Sequence, residues 1–205
     1  MISYSLARQE YLNEAVADVA NSVYGYEMDK LQRNSRVLPI NANGKAIYTF
    51  WDLGVDDPTA IVFAFIENNT AYIVDYYENT GYDIKHYIDV INSKPYRYAG
   101  HYMPHDSKKR TNTTATNILD YARVEYGFEA RAIPKTNSVR DDIEIVRRYL
   151  PNCYIDEKCT SLLEHLINYQ WSASTGRILH NEHSHGADAV RMLFMAIQQN
   201  IFQEY

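Results

Sequence analysis

Three aspartates that lie far apart in this chain stand where an aspartate is costly. Asp52 and Asp106 each end an apolar run, and Asp188 lies near the start of a third. A carboxylate among apolar neighbours has to find a partner, because desolvation makes an unpaired one expensive. Three carboxylates that converge in the fold would find that partner in divalent cations.

Those cations would be Mg²⁺ or Mn²⁺, which prefer oxygen ligands. Two such ions a few Å apart stabilise both oxygens of an in-line phosphoryl displacement. Each aspartate also has a simpler explanation. Asp52 could cap the turn at Gly54, Asp106 could cap a following helix, and Asp188 could complement a helix dipole. Because all three lie at the ends of predicted elements, the pattern favours two-metal phosphodiester chemistry.

Five of the seven histidines lie in two short tracts, His101 and His105, and His180, His183 and His185. A zinc site is one alternative, but no cysteine has suitable spacing and the second tract is typical of a loop. His185 precedes Asp188 by three residues, so a helix would place the two on adjacent parts of one face. His185 could therefore orient a water or the scissile phosphate, or it could simply cap the helix.

Basic residues follow the second aspartate in the tract Lys108, Lys109 and Arg110, and Lys135 follows a predicted strand. Such residues beside an acidic site suit contacts to a phosphate backbone that do not read bases. A solvated loop is the alternative. Asp56 and Asp57 could join an outer metal shell, and their roles, like that of His183, stay open.

The composition predicts one globular domain. The 205 residues suffice for a sizeable core, and a net charge of −6 argues against a surface that binds nucleic acid everywhere while allowing a local basic cleft. No run approaches the ~18 apolar residues of a membrane span, and residues 1–15 lack the basic-then-apolar pattern of a signal peptide. Cys153 and Cys159 give no disulfide framework, which indicates a reducing, cytoplasmic setting.

Hydrophobic periodicity predicts three strands with short connections and then alternating helices and strands. The predicted strands are 46–53, 59–66, 71–77, 98–106 and 129–133, with an extended piece at 153–155. The predicted helices lie within 1–35 and at 83–93, 113–126, 138–150, 157–168 and 185–199. This order predicts an α/β domain whose mixed central sheet combines an antiparallel meander with parallel strands and is flanked by helices.

Four segments, in this order, resemble the nuclease domain of the large terminase subunit of tailed bacteriophages: 51–60 (WDLGVDDPTA), 103–106 (MPHD), 133–135 (IPK) and 184–191 (SHGADAVR). Gln9–Tyr11 resembles the point where the packaging ATPase ends and the nuclease begins. The resemblance covers nearly the whole chain.

The resemblance implies an RNase H-like fold and an endonuclease that cuts concatemeric double-stranded viral DNA during genome packaging, with two Mg²⁺ or Mn²⁺ ions. It makes Asp52 the central ligand, completed by Asp106 and Asp188. His185 matches a histidine near the last aspartate, and Lys135 matches a lysine of the family.

The resemblance also implies a helical lead-in from an ATPase domain at 1–40 and the nuclease domain at 41–205. The phosphate-binding motif Gly-x-x-x-x-Gly-Lys-Ser/Thr is absent, so we expect no ATPase activity from this chain, which would be a nuclease fragment or a lone module. Expected partners are duplex DNA, the ATPase domain, the small terminase subunit and the portal, in the host cytoplasm without a membrane. Two alternatives remain, a branch-specific nuclease like a junction resolvase and a non-catalytic module that docks DNA or the portal.

Overall fold

The structure, a computed structural model, describes residues 21–54, 57–108 and 117–202, apart from the side chain of Lys108. Gln9–Tyr11, Asp56, Lys109 and Arg110 therefore lie outside the described residues, as does the first part of the predicted helix 113–126. Among the described residues, no helix is long and apolar enough to cross a membrane.

The described strands form one mixed sheet. They are β1 Ala46–Asp52, β2 Thr59–Glu67, β3 Thr70–Asn79, β4 Arg97–Met103, β5 Arg131–Ala132 and β6 Tyr154–Ile155. Their order in space is β5-β4-β1-β2-β3-β6. β1, β2 and β3 form an antiparallel meander, while β4 is parallel to β1, β5 to β4 and β6 to β3. The predicted mixed sheet is confirmed.

Helices cover both faces of this sheet. They are α1 Gly25–Arg33, α2 Ile84–Ser93, α3 Ile118–Tyr126, α4 Val139–Tyr149, α5 Thr160–Asn168 and α6 Ser184–Gln198, with short 3₁₀ turns at His105–Lys108 and Leu150–Asn152. Three of them begin where a polar side chain accepts a backbone N–H of the first turn: Asp83 for α2, Asn117 for α3 and Ser138 for α4. Such caps satisfy donors that a helix leaves unpaired.

The alternation of side chains along β1 produces two cores. Successive residues of a strand point to opposite faces, so Ile47 and Trp51 face one side while Phe50 and Asp52 face the other. The first side packs against α2 and α3. The second packs against α1, α4, α5 and α6. β1 is apolar on both faces because it lies centrally, between β2 and β4.

The structure differs from the predicted elements at the end of β4. The strand was predicted to reach Asp106, but it ends at Met103. Pro104 has no N–H to donate, so it cannot extend the ladder, and the chain turns into the 3₁₀ turn that carries Asp106.

The segment before β1 is integral to the second core. Tyr24, Met28 and Leu31 are fully buried there, together with residues of α5 and α6. The domain boundary near residue 40 stays a prediction.

Leu193 and Leu179 provide a matched test of this packing. Leu193 of α6 is fully buried, whereas 36% of Leu179 is exposed. We expect Leu193→Ala to lower the free energy of unfolding by ~2–5 kcal/mol, because it leaves a cavity in the core. Leu179→Ala should lower it by about 1 kcal/mol or less. Urea unfolding followed by circular dichroism measures both, and equal losses would contradict the described core.

Candidate metal centre

Asp52 and Asp188 meet where the carboxyl end of β1 faces the first turn of α6. Asp52 is the last residue of β1 and lies on the same face as Phe50, the face that α6 covers. Helix α6 packs directly on β1 and β2. Burial is the largest cause of the raised pKa of Asp188, and the charge of Asp52 adds to the rise, which indicates that the two carboxylates lie near each other. The fold thus brings together two acids that are 136 residues apart in the sequence.

His185 connects these two elements. Its Nδ1 atom lies 3.0 Å from Oδ2 of Asp52, and only 6% of its side chain is exposed. The hydrogen bond to Asp52 raises the pKa of His185 above its usual value, burial opposes this, and the charges of Asp52, Asp57 and Asp188 add to the rise. The histidine predicted beside the third aspartate therefore contacts the first.

Asp188 is held by two further groups. Tyr169 donates its hydroxyl to Oδ1 of Asp188 at 2.9 Å, and Nη1 of Arg191 lies 3.3 Å from the same oxygen. Burial nevertheless raises the pKa of Asp188, although Arg191 lowers it. The folded protein therefore carries this negative charge at a cost that a cation would offset.

Asp188 can still be reached from solvent, since 21% of its side chain is exposed. Together with Asp52 it offers carboxylate oxygens, the ligands that Mg²⁺ and Mn²⁺ prefer. The donor set and the cost of the charge on Asp188 both fit a divalent cation.

Asp106 lies at the same end of the sheet. β4 runs parallel to β1 with Tyr102 opposite Phe50, so the residues that follow Met103 continue alongside the end of β1. The carboxylate of Asp106 is 54% exposed and lies 2.8 Å from Nε2 of His105. To hold an ion with the other two aspartates, it would have to share its oxygens with His105.

The basic candidates follow the same edge. Lys135 is exposed in the segment after β5, which runs parallel to β4. The backbone of Lys108 closes the 3₁₀ turn that contains Asp106. These two positions therefore follow the carboxyl ends of neighbouring strands, where a phosphate backbone could approach.

Sequence reasoning missed Glu78. The register of the meander places Asp52 opposite Ala60 and Ala60 opposite Glu78, which forms a row across three strands. Glu78 accepts a hydrogen bond from the Tyr76 hydroxyl at 2.9 Å and lies 2.8 Å from Nε2 of His165. Burial raises the pKa of Glu78, but the hydrogen bond and charge of His165 outweigh it and the pKa is lowered.

His183 belongs to this second cluster. Its Nδ1 atom lies 3.2 Å from Nδ1 of His165. The charge of His185 also lowers the pKa of Glu78, so the cluster of Glu78, His165 and His183 adjoins the pair Asp52 and His185. The one sequence signal for Glu78 is its place at the end of β3, which corresponds to that of Asp52 in β1.

A glycine allows α6 to approach this closely. A Cβ atom on Gly186 would lie 2.8 Å from both Cδ2 of His165 and the hydroxyl oxygen of Tyr76. Both distances are shorter than real Cβ contacts allow. Gly186 therefore lets the first turn of α6, with His185 and Asp188, lie against α5 and β3.

The contact between Asp52 and His185 predicts a pH dependence in the metal-free protein. Since Asp52 raises the pKa of His185, we expect NMR titration in EDTA to place that pKa above the ordinary value of 6.5. The stabilisation from this contact should be complete below about pH 6.5 and decline as the pH rises through the raised pKa. Asp52→Asn should lower the pKa, whereas Asp89→Asn on the exposed face of α2 should not. An unchanged pKa in Asp52→Asn would contradict the hydrogen bond.

Tyr169→Phe removes the hydroxyl that reaches Asp188 and keeps the ring that stacks on Tyr24. We expect it to lower the free energy of unfolding by ~1.5–3 kcal/mol, because the bond is to a charged, largely buried group. Tyr26→Phe, at a site 73% exposed, should change it by about 0.5 kcal/mol or less. Chemical denaturation measures both variants, and similar effects would mean that the hydroxyl is not needed to hold Asp188.

No family model matches the sequence, and no curated protein matches it. Solved structures do match. The large terminase nuclease from thermophilic phage G20c, with bound magnesium, is 17% identical with a TM-score of 0.59, over 88% of this chain and 98% of that one. The large terminase nuclease domain from bacteriophage SPP1, with bound Mn, is 19% identical with a TM-score of 0.56, over 77% and 89%.

A large terminase from another thermophilic bacteriophage, in complex with ADP, is 17% identical with a TM-score of 0.64, over 86% of this chain and 45% of that one. The chain thus spans about half the length of that protein. These matches confirm the RNase H-like fold and the resemblance seen in the sequence motifs. The chain has the fold of the nuclease domains of large terminases.

Proposed function

We propose that this chain is a metal-dependent endonuclease domain that hydrolyses phosphodiester bonds of double-stranded DNA and cuts concatemeric viral DNA during genome packaging. The observation that carries the proposal is the convergence of Asp52 and Asp188, with His185 hydrogen-bonded to Asp52. Structures of the same fold contain bound magnesium or Mn, which supports a metal requirement.

In this proposal Asp52, Asp106 and Asp188 hold two Mg²⁺ or Mn²⁺ ions, and Asp52 is the central ligand. The ions would supply positive charge that stabilises the attacking and leaving oxygens at the scissile phosphate. Tyr169 and Arg191 keep Asp188 in place.

His185 positions the attacking water or the phosphate. It is well suited to this because its buried ring is fixed by Asp52 and has a second nitrogen left for substrate. The positioning requires no movement of β1 or α6, since both elements are packed into the core.

DNA contact would be electrostatic and independent of base sequence. Lys135 and the tract Lys108–Arg110 are the candidates to bind backbone phosphates, and such contacts weaken as salt rises. With a net charge of −6, the chain alone should hold duplex DNA weakly. We therefore propose that an ATPase domain, with the small terminase subunit and the portal as further partners, keeps the DNA at the site.

Plasmid cleavage tests this proposal. With Mn²⁺ or Mg²⁺ the protein should nick or linearise supercoiled plasmid, and EDTA should stop the reaction. Asp52→Asn and Asp188→Asn should each lower the rate by at least ~100-fold, since each removes a charge that holds the ions. Asp89→Asn, on the exposed face of α2, is the matched control and should cleave like wild type.

Wild-type rates in Asp52→Asn would refute the mechanism. Strong preference for four-way junctions over linear duplex would instead indicate a branch-specific nuclease. DNA binding without cleavage or metal uptake, unaffected by loss of the aspartates, would indicate a docking module.

A further inference from the structure

Three side chains outside the proposed carboxylate set form a second ligand cluster. Asp57 lies in the loop after β1, His180 precedes α6, and His185 is in its first turn. One ligand atom from each lies within 4.8 Å of the other two. This cluster offers one carboxylate and two imidazoles, in contrast to the three carboxylates of Asp52, Asp106 and Asp188.

Both His180 and His185 use their Nδ1 atom in a hydrogen bond to a neighbouring side chain. Ser184 donates its hydroxyl to the carbonyl of Asn181 at 2.6 Å, so its oxygen can accept the Nδ1 proton of His180 at 3.3 Å. His185 likewise uses Nδ1 toward Asp52. Each ring could therefore offer Nε2 to an ion, and on His180 this is the atom that faces Asp57. Outer partners of this kind hold metal-binding histidines in one tautomer and one orientation.

The spacing of the first two ligands suits a metal. Nε2 of His180 lies 3.1 Å from Oδ2 of Asp57. With the proton on Nδ1, these are two electron-rich atoms, and a cation between them would satisfy both; with a proton on Nε2, they form a hydrogen bond. Ligand atoms that lie ~2.0–2.2 Å from one ion, at tetrahedral or octahedral angles, are about 2.8 to 3.6 Å apart.

We propose that Asp57, His180 and His185 bind a first-row transition-metal ion such as Zn²⁺ or Co²⁺, at a site that adjoins the carboxylate centre through His185. Imidazole ligands favour these ions over Mg²⁺, which prefers oxygen and keeps its water. Bound there, the ion would fasten the loop after β1 to the start of α6. His183 is not part of this set, because its ring contacts His165.

The test is Co²⁺ titration of the whole chain in millimolar Mg²⁺, followed by visible absorption and calorimetry. Wild type should bind one Co²⁺ with an absorption spectrum that indicates histidine ligands. His180→Asn and Asp57→Asn should each weaken binding by at least ~10-fold, and Ser184→Ala, which frees the His180 ring, by about 10-fold. Both ligands are largely exposed, at 68% and 57%, so their variants should fold.

Two residues of α2 serve as matched controls. His86→Asn and Asp89→Asn should leave Co²⁺ affinity unchanged. Unchanged affinity in both His180→Asn and Asp57→Asn would overturn the site. Binding that is lost in Asp188→Asn but kept in His180→Asn would also overturn it, because the ion would then occupy the carboxylate centre.

This site shares His185 with the proposed nuclease centre, so an ion bound here would take the nitrogen that otherwise faces the substrate, but the two proposals can fail separately. A Co²⁺ spectrum that depends on His180, in a protein that never cleaves plasmid with Mg²⁺, would support the site and refute the nuclease. Plasmid cleavage that depends on Asp188, in a protein whose Co²⁺ affinity is unchanged by His180→Asn, would support the nuclease and refute the site.

Discussion

The hydrogen bond between Asp52 and His185 joins the two elements on which the candidate site depends. β1 is largely buried and α6 is apolar almost all round, so few of their residues are polar. The acids and the histidine of the candidate site lie at the last residue of the strand and near the start of the helix. The packing of α6 on β1 and β2 then brings those two ends together.

Each carboxylate at this end of the sheet has a cationic or histidine neighbour. Asp188 has Arg191, while the other pairs use histidines: Asp52 with His185, Asp106 with His105, and Glu78 with His165. A divalent cation would have to compete with these neighbours. Because histidine gains and loses its proton near neutral pH, binding of a metal here would be coupled to proton release.

Much of this architecture could be predicted from the sequence because apolar runs and turn residues mark the elements. The central position of β1 and the cap at Ser138 followed from patterns of that kind. The end of β4 was misplaced by three residues because the prediction carried the strand through Pro104, which has no N–H to continue the ladder. Glu78 could not be found, since its place beside Asp52 arises from the pairing register of three strands.

The candidate site likewise has residues that could be predicted from the sequence and residues that could not. The proximity of Asp52, His185 and Asp188 followed from their positions at the ends of elements, and their catalytic roles stay predictions. The partners that hold Asp188 left no comparable signal. Tyr169 lies in the segment after α5, and nothing in its own neighbourhood indicates that its hydroxyl reaches the next helix.

Gly186 allows α6 to lie close to β3 and α5. It follows His185 and lies two positions before Asp188, and because it has no side chain, the helix backbone can approach His165 and Tyr76. A larger residue would require His165, Tyr76 or the start of the helix to shift. If the helix moved, His185 and Asp188 would keep their spacing while both moved away from Asp52. The absence of a side chain at Gly186 would then set the distance between strand and helix that a bound ion has to span.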